Sequence, residues 1–437
     1  ACGVTYPGRQ GDFSKLNVFS SEGRATSTTI LSLSAVRRLM ESDLDAEARK
    51  LLSFTDNRQD AALQAGHFND FVEVGLLRGA LYKAVAQGGE GGLQQHEVAH
   101  QVFDAMGLEF QEFALNPDQV LGAKDDTKQT LRDVLAYRVF QDLKRGWRLT
   151  APNLEQVGLL EIRYRYLDEA CAEEDLWCGS HPALASASPD ERRTVAKTLL
   201  DLLRRNLAIR THFLEKGYLD QLRNRSQQRL REDWAIGLWE HLEYAPVALP
   251  RGRGDGDSGQ HFFLSPRGGF GRYLRRDGTF PHLPERLSTE EVQQVTVELL
   301  QALCRAGLVD EVLPPKQDGQ VPGYQVYAAA LRWHAGDGTP YHDPLRVVDP
   351  PVGKRKANEF FERYYKEVAR NLGGVHAAEH TAQVSADERE EREQAFRAGD
   401  LPVLYCSPTM ELGVDIASLN VVNLRNVPPT PANYAQR

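Results

Sequence analysis

The C-terminal part of the chain alternates between short apolar runs and helical patterns, and this alternation restricts the possible folds more than any other feature. Residues 375–379, 403–406 and 419–424 have the composition of strands. Ser385, followed by Glu388 three positions later, predicts the start of a helix between the first two. Strands joined by helices are typical of a parallel sheet with right-handed crossovers. The sequence therefore predicts an α/β fold for this part of the chain.

A further apolar run lies far upstream, at residues 51–55, and ends in a polar loop before a predicted helix at residues 58–82. Loops that follow the strands of a parallel sheet are where phosphate ligands usually bind. Arg58, at the start of this helix, is therefore a candidate contact to a phosphate. An ordinary surface ion pair is the alternative for the same side chain.

The residues between these two parts have a different character. Helical spacing at 95–106, 128–144 and 192–206 predicts a mostly helical region. Downstream, a helix capped by Ser288 precedes two apolar runs within residues 308–331, which predict a β-hairpin. A helix followed by a hairpin is typical of a winged helix, a domain that binds nucleic acid in some proteins and is a rigid spacer in others.

Composition and charge exclude several classes of protein. A net charge of −9 argues against nucleic-acid binding over the whole surface but is compatible with local basic patches. Five cysteines, an odd number, indicate reduced thiols and a cytoplasmic setting. No apolar run reaches the roughly 20 residues of a membrane span, and no signal peptide opens the sequence. Cys2 is interpreted as a free thiol or as half of a truncated zinc knuckle.

One basic stretch in the middle of the chain is a candidate nucleic-acid surface. Arg272, Arg275 and Arg276 interleave with aromatic residues such as Phe270 and Tyr273 on a Gly-rich segment. Arginines that bind phosphates beside aromatic rings that stack on bases suit a single strand. The alternative is a basic hairpin that packs its aromatic residues inward.

The sequence lacks the residues of a complete nucleotide hydrolase. No Gly-x-x-x-x-Gly-Lys-Ser/Thr phosphate loop is present. The acidic residues Asp387 and Glu388 open a capped helix, where they stabilise the helix dipole, and do not end an apolar strand as magnesium-binding acids would. No grouping of potential metal ligands stands out, so no metal site is predicted.

Four segments, in this order, resemble motifs of the second RecA-like domain of superfamily 2 (DEAD/DEAH-box-like) helicases. They are LLSFTDNRQD at 51–60, HTAQ at 380–383, CSPTMELGVDI at 406–416 and PANYAQR at 431–437. The amino-acid sequences of these segments most resemble those of large bacterial helicases of the Lhr and MrfA kind, including those of DISARM phage-defence systems. Since the chain opens without methionine and stops inside the last motif, we expect an internal piece of a larger protein.

The resemblance implies roles at a nucleotide cleft. In these helicases ATP, with magnesium, lies between two RecA-like domains, and the first of them is absent from this sequence. Gly413 and Asp415 are then expected to face the nucleotide. Gln436 and Arg437 match the start of the catalytic motif whose later arginines reach the γ-phosphate.

The resemblance also implies contacts to a nucleic-acid strand. Ser407 stands where the family usually has a threonine whose hydroxyl donates to a phosphate, and Thr409 follows it in the same motif. Thr381 and Gln383 lie where a strand leads into a helix that holds a strand phosphate. Thr381 replaces a frequent histidine and Ala382 a frequent glycine, so this segment departs from the family pattern.

Taken together, these features predict a RecA-like parallel sheet, discontinuous in sequence, with a mostly helical insertion that has a winged-helix-like part. The predicted function is half of an ATP-dependent DNA helicase or translocase, active only in the intact protein. Expected partners are DNA (single strand or duplex, with RNA also open), the first RecA-like domain, and proteins docked on the insertion. The alternative is a non-catalytic docking module on a degenerate RecA-like domain. The predicted divisions are a lead-in (1–44), the first sheet part (45–80), a helical insertion (81–230), the winged-helix-like part (231–350) and the second sheet part (351–437).

Overall fold

The computed structural model describes residues 21–55, 57–144, 151–254, 260–315, 321–347, 357–407 and 419–424. These residues form two compact units. The sheet unit comprises residues 21–76 and 367–424 of the described chain, and the helical unit comprises residues 77–366.

The described chain consists of helices, many of them consecutive in sequence, and short strands. The helices are α1 (Ser21–Met40), α2 (Arg58–Gln87), α3 (Gln95–Met106), α4 (Phe110–Phe113), α5 (Leu121–Asp142), α6 (Leu167–Ala172), α7 (Glu174–Trp177), α8 (Pro182–Ala185), α9 (Pro189–Arg205), α10 (Lys216–Arg229), α11 (Gly269–Leu274), α12 (Thr289–Arg305), α13 (Glu359–Arg363) and α14 (Ala386–Ala398). The strands are β1 (Leu51–Phe54), β2 (Leu160–Tyr164), β3 (Ile209–Arg210), β4 (Val247–Leu249), β5 (His261–Phe263), β6 (Val309–Leu313), β7 (Gly323–Tyr327), β8 (Leu331–Ala335), β9 (Ala377–His380), β10 (Val403–Cys406) and β11 (Val421–Leu424).

The sheet unit contains a four-stranded parallel sheet in the order β11-β1-β10-β9. The predicted parallel pairing of the upstream strand with the C-terminal strands is confirmed, since Leu52 pairs with Leu404 across a sequence gap that spans the whole helical unit. All four residues of β1 and of β10 are buried. Strands that are covered on both faces are mostly apolar rather than alternating, and Ser53 is the one polar residue in these two strands.

Different helices pack on the two faces of this sheet. On one face Phe396 of α14 and Leu401 pack with Leu52, Phe54 and Leu404 in a single apolar cluster.

On the other face, Tyr405 donates a hydrogen bond from its hydroxyl to Ser32 of α1 at 3.1 Å. Its ring also meets that of Phe68 of α2 edge-on, with centroids 6.4 Å apart. The sheet is therefore held between α14 and the pair α1 and α2.

Two predicted boundaries in this unit were wrong. Helix α1 begins at Ser21, whereas the residue pattern predicts irregular structure to about residue 26 and a helix from Thr28 to Leu39. Strand β9 begins at Ala377, so Val375 lies before the strand although it is buried. The reason is the Asn69 side chain, which accepts from the Ala377 amide at 2.8 Å and donates to its carbonyl at 3.0 Å. This amide takes the place of a neighbouring strand and sets where the edge strand starts.

The apolar spacing from Asn358 to Leu372 predicts one helix, but this segment changes form along its length. After α13 the chain continues as a π-helix at Tyr364–Val368 and a 3-10 helix at Ala369–Leu372. The Tyr365 hydroxyl donates to the Pro152 carbonyl at 2.7 Å and accepts from Arg78 at 2.8 Å. These buried bonds fix the side chain of Tyr365 within the widened turn.

The helical unit contains a two-stranded antiparallel sheet, β2 with β8, and a five-stranded sheet in which β6 and β7 form the predicted hairpin. A serine followed by a glutamate three positions later predicts a capping box, and two are present, at Ser188 with Glu191 and at Ser288 with Glu291. Because β7 also pairs parallel to β3 and antiparallel to β4, the hairpin belongs to a larger mixed sheet. The winged-helix assignment stays a prediction.

Candidate nucleic-acid interface

The carboxyl ends of three parallel strands meet at one edge of the sheet. The register pairs Phe54 with Cys406 and Cys406 with His380, so these three strands end level with one another. The next residues are Thr55, Ser407 and Thr381, each with a hydroxyl group. The structure thus brings two of the predicted nucleic-acid contacts, Thr381 and Ser407, to the same edge.

All three hydroxyl residues lie below the surface of this edge. Thr55 is 2% exposed, and Thr381 and Ser407 are 0% exposed. The Thr55 hydroxyl donates to the carbonyl oxygens of Asn57 at 3.0 Å and Cys406 at 3.2 Å. Thr55 therefore holds the strand end to the start of α2.

Helix α2 starts at this edge with a polar cap. The Asn57 side chain accepts from the Asp60 amide at 2.8 Å and donates to the Asp60 carboxylate at 3.2 Å. Arg58, the first helical residue, is exposed. Its position beside the first-turn amides suits an anion, because the amides at a helix start point away from the helix.

A tight turn joins β9 to α14 on the same side of the sheet. The Thr381 hydroxyl accepts from the Gln383 amide at 3.3 Å and donates to the Glu379 carboxylate at 3.3 Å. Gln383 itself is exposed. Ser385 caps α14 by accepting from the Glu388 amide at 3.3 Å, as predicted. The turn therefore places an exposed amide side chain next to a second helix start.

Sequence reasoning missed the residues that attach α14 to the edge strand. His380, 1% exposed, pairs through Nε2 with Glu393 at 2.8 Å. Arg392 donates to the Glu379 carbonyl at 2.7 Å. Glu393 lies three positions before the buried Phe396 and so faces the sheet side of the helix. A glutamate three positions before an apolar helix residue was the sequence signal from which this contact could have been predicted.

Burial controls the chemistry of the thiol at the end of β10. Burial raises the pKa of Cys406 to about 12, and the negative charge of Glu393 adds to the effect. Burial likewise raises the pKa of Cys171 to about 12. Cys178, in contrast, is exposed.

We therefore expect iodoacetamide at about pH 8 to label Cys178 and to leave Cys406 and Cys171 unmodified in the folded protein. The thiolate is the reactive form, and a raised pKa keeps the buried thiols protonated at this pH. Peptide mass spectrometry checks the result, with labelling in urea as the control that every thiol is detectable. Equal labelling of Cys406 and Cys178 without urea would contradict the burial of the strand end.

Several predicted site residues fall outside the described residues. They are the predicted nucleotide-facing, strand-contacting and catalytic residues Gly413, Asp415, Thr409, Gln436 and Arg437.

The predicted single-strand surface of the helical unit differs from its expectation. Residues 269–274 form the short helix α11, which is neither the Gly-rich single-strand surface nor the basic hairpin of the alternative. Phe270 and Tyr273 are 3% and 7% exposed. Because both rings are packed inward, they are not available to stack on bases, and this part of the expectation was wrong.

The three arginines of this surface nevertheless remain near solvent. Arg272 is exposed on α11. Arg275 donates from Nε to the Leu287 carbonyl at 3.0 Å. Arg276 donates to the Pro344 carbonyl and, at 3.3 Å, to that of Leu345. Their role in nucleic-acid binding stays a prediction.

Other classes of site are not indicated by the structure. In the described ranges, no three His, Cys, Asp or Glu side chains are grouped so that they would hold a metal ion. No helix within the same ranges is long and apolar enough to cross a membrane.

Comparison with known proteins links the C-terminal part of the chain to helicases. Residues 354–437 match the helicase conserved C-terminal domain. That domain has a RecA-like α/β fold, in agreement with the parallel sheet, and it indicates a protein of the helicase type.

The chain is also similar to Druantia protein DruE of Escherichia coli (strain UMEA 4076-1), with 47% identity over 73 residues. This match covers 14% of the present chain and 4% of DruE. No solved structure matches the chain.

Proposed function

We propose that this chain is the second motor domain of an ATP-dependent DNA helicase or translocase of superfamily 2, interrupted by the helical unit. The observation that carries the proposal is the level edge of the parallel sheet, where Thr55, Thr381 and Ser407 follow three adjacent strands. The match of residues 354–437 to a helicase C-terminal domain supports it.

The exposed groups at this edge would make the first contacts to a strand. Arg58 supplies a positive charge, and Gln383 supplies a neutral donor beside the start of α14. Contacts of this kind to phosphates fix the position of a protein on nucleic acid without reading its sequence. We therefore assign general strand binding, rather than base recognition, to the edge.

Thr381 and Ser407 are proposed to donate their hydroxyl hydrogens to the same strand. Both are fully buried in this form, so their contact to a phosphate requires the edge to open. A strand that is held better by the open form would bias the domain toward it, because a ligand shifts an equilibrium by its differential affinity. Strand binding and a change at the edge are thereby coupled.

The nucleotide part of the proposal rests on the resemblance alone. Gly413 and Asp415 are proposed to face ATP and its magnesium ion, and Gln436 with Arg437 to begin the catalytic motif. A first RecA-like domain would supply the phosphate loop that this sequence lacks. The winged-helix-like hairpin would serve as a DNA contact or a spacer, and a bacterial cytoplasm is the proposed setting.

Removing one edge hydroxyl is expected to weaken DNA-stimulated ATP hydrolysis by the intact protein. Ser407→Ala and Thr381→Ala each lose one hydrogen bond to the strand, which is worth about 0.5–1.5 kcal/mol. The expected result is a severalfold higher DNA concentration for half-maximal stimulation. Steady-state ATPase titrations with DNA measure it.

Two controls make this test specific. Ser407→Thr keeps the hydroxyl and should restore the wild-type titration. Ser34→Ala removes an exposed hydroxyl that bonds only within α1, to the Ile30 carbonyl at 2.7 Å, and should have no effect. A normal titration for a well-folded Ser407→Ala protein would remove that hydroxyl from the proposed interface.

A further inference from the structure

A small open pocket lies in the helical unit between the end of α11 and the loop that leads to α12. Its volume is about 220 Å³. Buried side chains, Leu274, Phe280 and Leu287, form its apolar base. The pocket is below the range of about 300–1,000 Å³ typical of drug-sized ligands. It therefore suits one small group rather than a large ligand.

The loop that forms the pocket is held in shape by its own contacts. The Thr279 hydroxyl donates to the Tyr273 carbonyl at 2.8 Å, and the Thr279 amide donates to the Arg276 carbonyl at 3.2 Å. Asp277 and Arg286 pair through two hydrogen bonds, one of 2.7 Å and one of 2.5 Å, across the two ends of the loop.

Two prolines, Pro281 and Pro284, restrict the backbone between those ends. A preformed loop loses little entropy when it binds.

Two of the three arginines at the pocket, Arg275 and Arg276, are not paired with a carboxylate of the loop. The guanidinium groups of Arg275 and Arg276 are bonded to backbone carbonyls. Asp277 is instead taken by Arg286. The pocket also includes Glu285, so its five charged side chains, three arginines against two carboxylates, sum to +1. The positive charge is concentrated on the side where the chain leaves α11.

We propose that this pocket binds one nucleotide of a single nucleic-acid strand. The base would lie against Leu283 and the two prolines, and the flanking phosphates would bind Arg275 and Arg276. An apolar wall beside cations is the chemistry of single-strand binding, in which the base contact tolerates every sequence because each base has a flat face. The inference rests on the proposed function for its ligand class, but it concerns a separate surface.

A nucleotide fits these features better than an acidic peptide does. A peptide carboxylate would use the arginines and leave the apolar wall unoccupied, whereas a nucleotide uses both. The base and the phosphate therefore provide two separable readouts. Variants of the cationic side and of the apolar side are expected to respond differently to a strand that lacks bases.

The first test removes both charges with Arg275→Gln and Arg276→Gln in the whole chain. The probe is a fluorescein-labelled oligothymidylate of about 16 nucleotides, followed by anisotropy without ATP. Affinity is expected to fall at least about tenfold. The plot of log affinity against log salt concentration should become shallower by about 1.4, since each single-strand phosphate contributes about 0.7. The matched control Arg193→Gln, at an exposed arginine of α9, should change neither quantity.

The second test removes the apolar contact with Leu283→Ala, which leaves the arginines and their carbonyl partners in place. It should weaken binding of oligothymidylate severalfold and leave binding of an abasic strand of equal length unchanged. An equal effect on both strands, or on neither, would overturn the placement of a base in the pocket. Competition by polyglutamate as effective as that by oligothymidylate would overturn it in favour of a general polyanion site.

These outcomes are distinguishable from failure of the proposed motor function. Normal strand binding by the arginine variant would contradict the pocket proposal. If the ATPase of the intact protein still depends on DNA, the motor proposal is unaffected. Loss of binding in the arginine variant of this chain, together with no DNA-stimulated ATPase in a protein that also carries the first RecA-like domain, would support the pocket and contradict the motor proposal. Thermal unfolding of each variant must match the unmodified chain for either comparison to count.

Discussion

Replacing Arg204 by methionine is expected to lower the free energy of unfolding of the helical unit by about 3–5 kcal/mol. Arg204 is 0% exposed and donates to both Glu155 oxygens, at 2.8 and 2.9 Å, and to Asp201 at 3.1 Å. Its Nε also donates to the Tyr164 hydroxyl at 3.2 Å. Without the guanidinium, two buried carboxylates lose their main counter-charge. Urea denaturation at neutral pH measures the change.

A surface arginine on the same helix provides the control. Arg193 pairs with Asp190 at 2.8 Å, and both side chains are largely in water. Exposed pairs contribute about 0–1 kcal/mol, so Arg193→Met should leave the unfolding midpoint almost unchanged. If Arg204→Met costs no more than Arg193→Met, the buried network does not stabilise this unit.

The same network predicts the pH dependence of stability. Burial by itself would raise the pKa of Asp201, but the charges of Arg204 and Lys197 outweigh it, and the pKa lies below its ordinary value. A lowered pKa gives stabilisation that is present above the unfolded value of about 3.9 and is lost as the pH falls through the folded value. In Arg204→Met the pKa of Asp201 should rise, so the mutational cost should shrink when unfolding is measured near pH 4.

The shared parallel sheet of the upstream and C-terminal strands was predictable from the sequence because two independent signals agreed. The run from Leu51 to Phe54 is short and apolar, and the motifs that resemble those of helicases fixed its partner far downstream. Parallel pairing then follows from helical crossovers, and Leu52 does pair with Leu404. The start of β9 was not predictable, because it depends on Asn69, whose contact to Ala377 is set by tertiary structure.

The candidate sites likewise have features that were predictable from the sequence and features that were not. Pattern and resemblance placed Thr381 and Ser407 at strand ends, but only packing reveals that both hydroxyls are fully buried. The glycines and arginines around Phe270 are compatible both with a surface that stacks on bases and with a basic hairpin that packs its aromatic residues inward. Burial of this ring decides between them, and it depends on side chains distant in sequence. Local spacing does not encode such contacts, so the pocket beside Arg276 could not be predicted.

The 437-residue chain by itself is expected to hydrolyse ATP no faster than background, with or without DNA. Its sequence contains no phosphate-binding loop, which in P-loop enzymes positions the phosphates and the magnesium ion. Catalysis of phosphoryl transfer consists mainly of such positioning and of charge stabilisation. Loss of one arginine that stabilises the charge on the transferred phosphate already costs about 10³–10⁵ in rate. Release of inorganic phosphate, measured with and without oligothymidylate, checks the prediction.

A protein that also carries the proposed first RecA-like domain serves as the positive control and should show DNA-stimulated turnover. Absence of such turnover there would favour the non-catalytic docking module instead. Robust hydrolysis by the present chain, abolished by Asp415→Ala, would contradict the half-motor proposal, because the nucleotide site would then be complete within these residues. Hydrolysis that survives Asp415→Ala points to a contaminating enzyme, since the proposed nucleotide contact would be absent. The Asp415→Ala variant therefore separates a complete site from an impurity.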